Sequence, residues 1–250
     1  EAFDAAVLGD QAVARRSVKV LVLFSGPYNR PDGLGAFLNK FGLQAELVDN
    51  DALSGGGQAH DVLDDDFFQR LLSRVSRGEF CAIIAAPPCS TFSVARFFPR
   101  ENGAPILRLR DQIYGVKGLD ASSSKTLAEA NALVARTCRL LAAGHRVGTQ
   151  FVLENPVDRG DRSDARAFLH ENHGSLWQMP EVVSLLKETG ADTVSFCQCM
   201  IGAPWQKRTT FAFTPGLHSW LAPLGRLECN HATHARPHIP TIDPSTQHGT

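Results

Sequence analysis

The stretch that decides the fold is Phe80–Arg96, which reads FCAIIAAPPCSTFSVAR. Its first seven residues form a continuous apolar run with two β-branched isoleucines, which is typical of a buried strand. Proline cannot donate to a ladder of backbone hydrogen bonds, so the strand is predicted to end at Pro87 and Pro88. Cys89 comes next. The carboxyl end of a parallel strand is where open α/β sheets bind ligands, so Cys89 is either a nucleophile or a buried, unreactive thiol in a turn.

A strand–loop–helix–strand unit precedes this stretch. An apolar run at 17–24 enters a loop with glycine and proline, a helix is predicted at 34–41, and a second strand at 45–48 leads to Asp49, Asn50 and Asp51. In nucleotide-binding units of this layout, the loop binds one end of the ligand and the acid accepts hydrogen bonds from ribose hydroxyls. The sequence therefore predicts a nucleotide-type ligand. The motif GxGxxG is absent, and an α/β protein without a nucleotide is the alternative.

Helix and strand patterns alternate through the rest of the chain. Helices are predicted at 1–16, at 65–75 after an Asp64 cap, at 122–144 with serine caps at 122–124, and at 181–188; strands are predicted at 149–153, 191–196 and 209–214, and a short strand or strand end at 60–63. This order predicts an α/β, Rossmann-like, mostly parallel sheet with one antiparallel hairpin and a small loop-rich C-terminal appendage. Glu154 follows one of these strands and is either poised beside Cys89 or a helix-capping acid.

Composition limits the class of protein. The chain has 250 residues, 43% of them hydrophobic, and a net charge of −1, which suits one large domain with an appendage, or two domains. Residues 46–66 hold seven acids without Lys or Arg, whereas 94–118 hold five Lys or Arg and two acids, so one region favours a cation and the other a polyanion. Six irregularly spaced cysteines predict a reducing compartment. Without a span-length apolar run or signal peptide, we expect no membrane partner and an intracellular protein that is not secreted, nuclear if eukaryotic.

Three motifs stand in order along the chain: LFSG at 23–26, PPCSTFS at 87–93 and LENP at 153–156. This combination resembles the cytosine-C5 DNA methyltransferase family, which has the class I S-adenosylmethionine-dependent fold. The first motif is similar to the family's DLFSGxGG, Pro88-Cys89-Ser90 to its PCQ nucleophile motif, and Glu154-Asn155-Pro156 to its ENV motif. Residues 202–208 are similar to its GxPQxRxR segment. The resemblance covers roughly residues 18–214.

The chain departs from the family pattern at five places. Val22 replaces the leading Asp, Pro27-Tyr28-Asn29 replaces part of the glycine loop, Ser90 replaces Gln, Pro156 replaces Val, and Gln206 is displaced by one position. Neither a target-recognition domain nor a GNSV-type motif is recognisable after the last of these segments. The resemblance therefore implies a compact, divergent member, similar to viral and mobile-element types, with a catalytic domain at 1–214 and a loop-rich tail at 215–250.

The resemblance also implies roles for individual residues. Cys89 would attack C6 of cytosine, Glu154 would assist at N3, and Arg208 would bind phosphate or the carbonyl oxygen of the base. S-adenosylmethionine is expected against Phe24, Ser25, Gly26, Asp49, Asn50, Asp61 and Pro87, and the nucleic acid against Ser90, Arg96, Arg100, Arg108, Arg110, Gln206 and Lys207. DNA is the expected substrate. The alternatives are RNA, as in the transfer-RNA branch of the family, and a catalytically silent relative that binds nucleic acid.

A cluster of metal-ligating residue types lies in the tail. Cys229, His231, His234 and His238 follow one another at short spacing, and Cys197 and Cys199 are further candidates. Four such ligands suit tetrahedral zinc. The spacing is not that of a standard zinc finger, so the alternative is a histidine-rich loop without metal.

Overall fold

The computed structural model describes residues 18–54, 56–98, 103–230 and His238. The helix predicted at 1–16 lies outside this range. The strands are β1 (Lys19–Leu23), β2 (Gln44–Val48), β3 (Ala82–Ala85), β4 (Gln150–Pro156), β5 (Asp192–Cys197) and β6 (Arg208–Phe213). The α-helices are α1 (Leu34–Lys40), α2 (Asp65–Ser76), α3 (Ala121–Arg146), α4 (Pro180–Thr189) and α5 (His218–Leu221).

The six strands form one open sheet in the order β2-β1-β3-β4-β6-β5. The first four strands are parallel, and β6 lies antiparallel to both β4 and β5. The predicted Rossmann-like α/β fold with one antiparallel hairpin is therefore confirmed. From β1 the chain crosses first to β2 on one side and later to β3 on the other. Such a reversal opens a crevice at the carboxyl ends of the two central strands, where ligands bind in open α/β sheets.

The core explains why β1 and β3 read as continuous apolar runs. Leu21, Leu23 and Ile83 are fully buried in the middle of the sheet, as expected for parallel strands covered on both faces. Helices α2, α3 and α4 pack side by side, and α3 also contacts β3 and β4. Cys138 on α3 is buried in this core, as its place in the apolar stripe of the helix predicts.

Two local predictions were wrong. Residues 60–63 are neither a strand nor a strand end: a 3₁₀ turn spans Gly57–His60 and a turn follows, because Asp61 accepts a hydrogen bond from the Leu63 amide at 2.8 Å. Helix α3 is capped by Asp120 and not by the serines that follow it, since the Asp120 carboxylate accepts from the backbone amide of Ser123. The Asp64 cap of α2 is confirmed.

The segment between β3 and α3 is irregular, as predicted, except for short 3₁₀ turns. Leu109 forms isolated bridges to Gln112 and His173, which attach this segment to the loop after β4. After β6, residues 215–226 form short helical turns. No helix in the described part of the chain is long and apolar enough to cross a membrane.

Candidate active site

Cys89 and Glu154 lie at the carboxyl ends of β3 and β4, which are hydrogen-bonded parallel neighbours. The sequence predicts each residue just beyond a strand. Cys89 does lie beyond β3, but Glu154 lies inside β4, which continues to Pro156 because these last residues pair with β6. The sheet order brings the ends of β3 and β4 side by side. Cys89 precedes the 3₁₀ turn Ser90–Phe92, and its carbonyl accepts from the Phe92 amide at 2.9 Å. The thiol therefore sits at a sharp strand-to-turn junction. Its side chain is neither fully buried nor fully exposed.

The loop that carries Cys89 is held from two sides. Asn155 Nδ2 donates to the carbonyl oxygen of Pro87 at 3.0 Å, and this side chain is 1% exposed. On the other side, Arg96 donates to the Ser90 carbonyl at 2.9 Å and to the Pro105 carbonyl at 2.8 Å. Buried polar groups with satisfied hydrogen bonds rigidify their surroundings. The cysteine is thus fixed relative to the end of β4.

His173 links the next turn of this loop to the segment after β4. Its Nδ1 accepts from the backbone amide of Arg159 at 3.1 Å, so Nε2 carries the proton and donates to the Phe92 carbonyl at 2.8 Å. The same ring lies 3.4 Å from Asp158. Burial raises the pKa of Asp158, but the hydrogen bond from the Gly160 amide and the neighbouring Arg110 outweigh it, and the net pKa is lowered.

Two side chains from the hairpin contact the Glu154 carboxylate. Lys207 Nζ lies 3.4 Å from Glu154 Oε1, and the Thr209 hydroxyl donates to the same oxygen. Lys207 directly precedes β6 and Thr209 is its second residue, and the two share a face because strand side chains alternate. Burial raises the pKa of the Cys89 thiol; Lys207 acts in the opposite direction and Glu154 adds to the rise. These three side chains therefore form one electrostatically connected group.

Arg208 points away from this group. It is 8% exposed and pairs with Glu228, Nη2 to Oε1 being 2.9 Å, while Asp164 lies 3.5 Å from the same nitrogen. Arg208 was expected at the base, yet it pairs with these two acids. The cation that faces Glu154 is Lys207, its neighbour in the chain. Because side chains alternate along a strand, Lys207 and Arg208 point to opposite faces of the sheet.

The second part of the site is the crevice at the ends of β1 and β2. Its lining combines apolar and polar side chains: Phe24, Val48, Asp49, Asn50, His60, Val62, Pro88 and Leu133. Phe24 has a φ of 61°, in the left-handed region that bulky side chains rarely adopt. The Phe24 amide donates to the Val48 carbonyl at 2.8 Å, which helps to hold this conformation. Strained backbone of this kind occurs most often at binding and catalytic sites.

Asp49 shapes the crevice with its carboxylate and its backbone. Its Oδ2 accepts from the Gly26 amide at 2.9 Å and its Oδ1 from the Asp51 amide at 3.0 Å. Each oxygen keeps a second lone pair for another donor. At Gly56, an added Cβ would lie 2.0 Å from the Asp49 carbonyl oxygen, so only glycine fits there.

Tyr28 and His60, a lining residue of the crevice, form a hydrogen-bonded pair. Tyr28 donates its hydroxyl proton to the Leu47 carbonyl at 2.9 Å, so it accepts from His60 Nδ1 at 2.5 Å. The His60 Nε2 is then an acceptor. Tyr28 was expected only as a departure from the family's glycine loop, and His60 was not among the predicted site residues. The missed signal was a histidine beside Asp61 in the loop that follows the second strand.

The remaining residues expected at the cofactor are distributed unevenly. Ser25 and Gly26 follow Phe24 in the strained turn, and the Ser25 amide contacts the Val48 carbonyl at 3.3 Å. Pro87 is buried and contributes its carbonyl to Asn155, whereas Pro88 lines the crevice. Asp61 lies between two lining residues, and one of its oxygens holds the turn described above.

The residues expected at a nucleic acid fall into three groups: buried, at least partly exposed, and outside the described part of the chain. Arg108 is 2% exposed, stacks over the Phe92 ring and donates to Thr91 and Asn131, so it holds the irregular segment together from inside. A buried guanidinium is not available to a phosphate, which corrects the expected role of Arg108. Ser90, Arg96, Arg110, Gln206 and Lys207 lie at least partly exposed, with Arg110 paired to Asp158 at 3.0 Å. Arg100 lies outside the described residues.

A wider depression is lined by Asp111, Gln112, Ile113, Tyr114, Gly115 and Lys117. None of the candidate catalytic residues lines it. This depression belongs to the irregular segment between β3 and α3. The candidate catalytic side chains meet elsewhere, at the carboxyl edge of the sheet.

Of the residues expected to bind metal, Cys229 and His238 are brought together and are joined by Cys199. His231 and His234 lie outside the described residues. Cys197 is buried in β5 and does not belong to this cluster.

Comparison with known proteins adds no relative. The sequence matches no family model and no curated protein. A functional assignment therefore rests on the residues at the carboxyl edge of the sheet.

Proposed function

We propose that this protein transfers a methyl group from S-adenosylmethionine to C5 of cytosine in DNA. One observation carries the proposal: Cys89 and Glu154 lie near the carboxyl ends of adjacent parallel strands, next to a crevice whose lining includes Phe24, Asp49 and Pro88. A thiol and a carboxyl group side by side are the two groups needed to activate the cytosine ring. Cys89 and Glu154 are also the central residues of the two motifs that resemble the nucleophile and ENV motifs of the cytosine-C5 methyltransferases.

Cys89 is the nucleophile in this proposal. Its sulfur forms a bond to C6 of cytosine, and the electron pair of the C5–C6 double bond moves through the ring toward N3. The attacking species is the thiolate, and Lys207 favours it electrostatically while burial opposes it. The site must therefore supply a proton acceptor when the base enters.

Glu154 assists at N3, where negative charge develops. Its carboxyl group is held by Thr209 and Lys207 and can donate a hydrogen bond or a proton to that nitrogen. Lys207 is the cation beside the base in this arrangement, and Arg208 fixes the hairpin through Glu228. Once C5 carries the methyl group, with S-adenosylhomocysteine as the leaving group, the C5 proton passes to water or another base and Cys89 leaves C6 as a thiolate, which restores the aromatic ring.

S-adenosylmethionine, when bound, supplies the methyl group as an electrophilic carbon on sulfur. The crevice residues fit its adenosine part: Phe24, Val62 and Leu133 offer apolar surface to the base, and Asp49 offers free lone pairs to ribose hydroxyls. Acids are also concentrated in this part of the chain, which favours a cationic ligand.

The nucleic acid would reach the site from the side of the irregular segment and the hairpin loop. Arg96 and Lys207 border Cys89 and Glu154, and both are partly exposed. Since C6 of cytosine is stacked inside a duplex, the target base must be flipped out or lie in a single strand. Contacts with phosphate oxygens would fix the strand without reading its sequence.

A trapping assay tests this proposal. The protein is incubated with S-adenosylmethionine and DNA that contains 5-fluorocytosine, in which fluorine blocks the loss of the C5 substituent and keeps Cys89 attached. Cys89→Ser should abolish the adduct. Cys81→Ser is the matched control, because Cys81 is exposed and precedes the opposite end of β3.

Each outcome of the assay has a distinct meaning. A Cys89-dependent adduct on DNA supports the proposal, and an adduct on RNA alone moves the activity to RNA. Absence of any adduct while S-adenosylmethionine still binds refutes methyl transfer to C5 and favours a silent nucleic-acid-binding protein.

A further inference from the structure

A cluster of soft metal ligands lies on the side of the hairpin away from Glu154. The sulfur atoms of Cys199 and Cys229 and a ring nitrogen of His238 all lie within 4.8 Å of one another. Cys199 is buried, and the other two are partly buried. Among the residues that the structure describes, this is the one group of three or more Cys, His, Asp or Glu side chains that converge in this way.

The distance between two of the ligand atoms matches the distance expected around a bound zinc ion. Cys229 Sγ lies 3.6 Å from His238 Nε2. Tetrahedral zinc, with a sulfur at about 2.3 Å and a nitrogen at about 2.05 Å, places those two atoms about 3.6 Å apart. The Cys199 sulfur lies within 4.8 Å of both of these atoms, which completes a triangle of three ligands.

The ligands come from different parts of the chain. Cys199 lies in the 3₁₀ turn Gln198–Ile201 that follows β5, and Cys229 follows the turn Ala222–Arg226. The Cys197 amide donates to the Leu227 carbonyl at 3.0 Å, so the backbone already joins the two segments beside the cluster. An ion here would tie the C-terminal segment to the hairpin.

We propose that Cys199, Cys229 and His238 bind a zinc ion that fastens the C-terminal segment to the β5–β6 hairpin. Two thiolates and one imidazole suit zinc far better than magnesium or calcium, which prefer oxygen ligands. A fourth ligand completes the tetrahedron, and it is either water or another side chain. This site is independent of the methyl-transfer proposal.

The site also stabilises the position of the hairpin. Glu228 is the neighbour of Cys229 and the partner of Arg208, and Lys207 next to Arg208 contacts Glu154. Loss of the ion would loosen Glu228 first, and the hairpin end with it. The role of the ion is structural, because none of its three protein ligands belongs to the group formed by Cys89, Glu154 and Lys207.

Metal analysis of the full chain provides the first test. Protein purified without chelators and under reducing conditions should contain about one zinc per chain, since structural sites hold the metal tightly. Cys229→Ser and His238→Ala should each lower the zinc content by about tenfold or more, as expected when one ligand of a structural site is lost. The controls Cys81→Ser and His145→Ala, outside the cluster, should keep it.

A second test uses the unaltered chain, because the variants can fail to fold. Wild-type protein stripped with EDTA should melt at a lower temperature, and zinc chloride, but not magnesium chloride, should restore the original value. Cobalt chloride should give the thiolate-to-cobalt charge-transfer band and the visible bands of a tetrahedral site. A stripped chain that binds cobalt without a charge-transfer band, or a Cys199–Cys229 disulfide in freshly isolated protein without zinc, overturns the proposal.

Discussion

Replacement of Asn155 by alanine tests how the nucleophile is held. The Asn155 amide is 1% exposed and donates to the Pro87 carbonyl, two residues before Cys89. The change leaves a buried carbonyl without its partner, which costs about 1–3 kcal/mol. A reduction of about 2 kcal/mol in the free energy of unfolding lowers the melting temperature of a chain of this size by about 4–8 °C.

The same change should slow capture of 5-fluorocytosine DNA, because the loop that carries Cys89 loses its attachment to β4. Melting is followed by circular dichroism, and trapping is measured at a temperature where both proteins are folded. Thr137→Ala is the control: it removes a buried hydrogen bond to the Leu133 carbonyl inside α3, far along the chain from the loop. If Asn155→Ala lowers the melting temperature but traps DNA at the wild-type rate, the anchoring argument is wrong.

Three further predictions concern the crevice, the thiol and an ion pair at the opposite end of the sheet. Alkylation of Cys89 by iodoacetamide should accelerate with pH beyond the range of an ordinary thiol, because burial raises its pKa, and Lys207→Ala should move the profile to still higher pH; peptide mass spectrometry measures both. Gly56→Ala should weaken S-adenosylmethionine binding on the order of tenfold in calorimetry, because the methyl group collides with the Asp49 carbonyl; unchanged affinity would exclude this crevice. Arginine and lysine neighbours lower the pKa of Glu79 to about 2, so its stabilising effect is complete above about pH 4.5 and lost as the pH falls toward 2. Glu79→Gln should flatten the pH dependence of urea denaturation in that window.

Most of the sheet could be predicted from local patterns. The strands β1, β3 and β4 contain short apolar runs that are followed by glycine, proline or acidic residues. Such ends can be recognised from the sequence. The position of Cys89 beyond β3 and of Glu154 near the carboxyl end of its strand followed from these runs, although β4 extends past Glu154 to Pro156. Their proximity did not, because it depends on the order of the strands, which no local pattern encodes.

The errors at the site have a common cause. The prediction gave the role at the base to Arg208, although consecutive residues of a strand face opposite sides and Lys207 is the one that faces Glu154. It treated Arg108 as a surface cation, although its aromatic and amide partners, Phe92 and Asn131, come from elsewhere in the chain. Partners of buried charges lie far apart in sequence, and only the folded chain shows them.

The alternation along β6 makes the length of the preceding loop as important as its residues. Glu154 is matched across the strands to Phe211, which fixes the register of the hairpin and turns Lys207 and Thr209 toward the carboxylate. One residue inserted or deleted between Gly202 and Lys207 that shifted the register of β6 by one position would turn Arg208 toward the carboxylate and Lys207 away from it. The length of the loop thus determines which side chain faces Glu154, and natural variation in the loop should preserve its length more strictly than its composition.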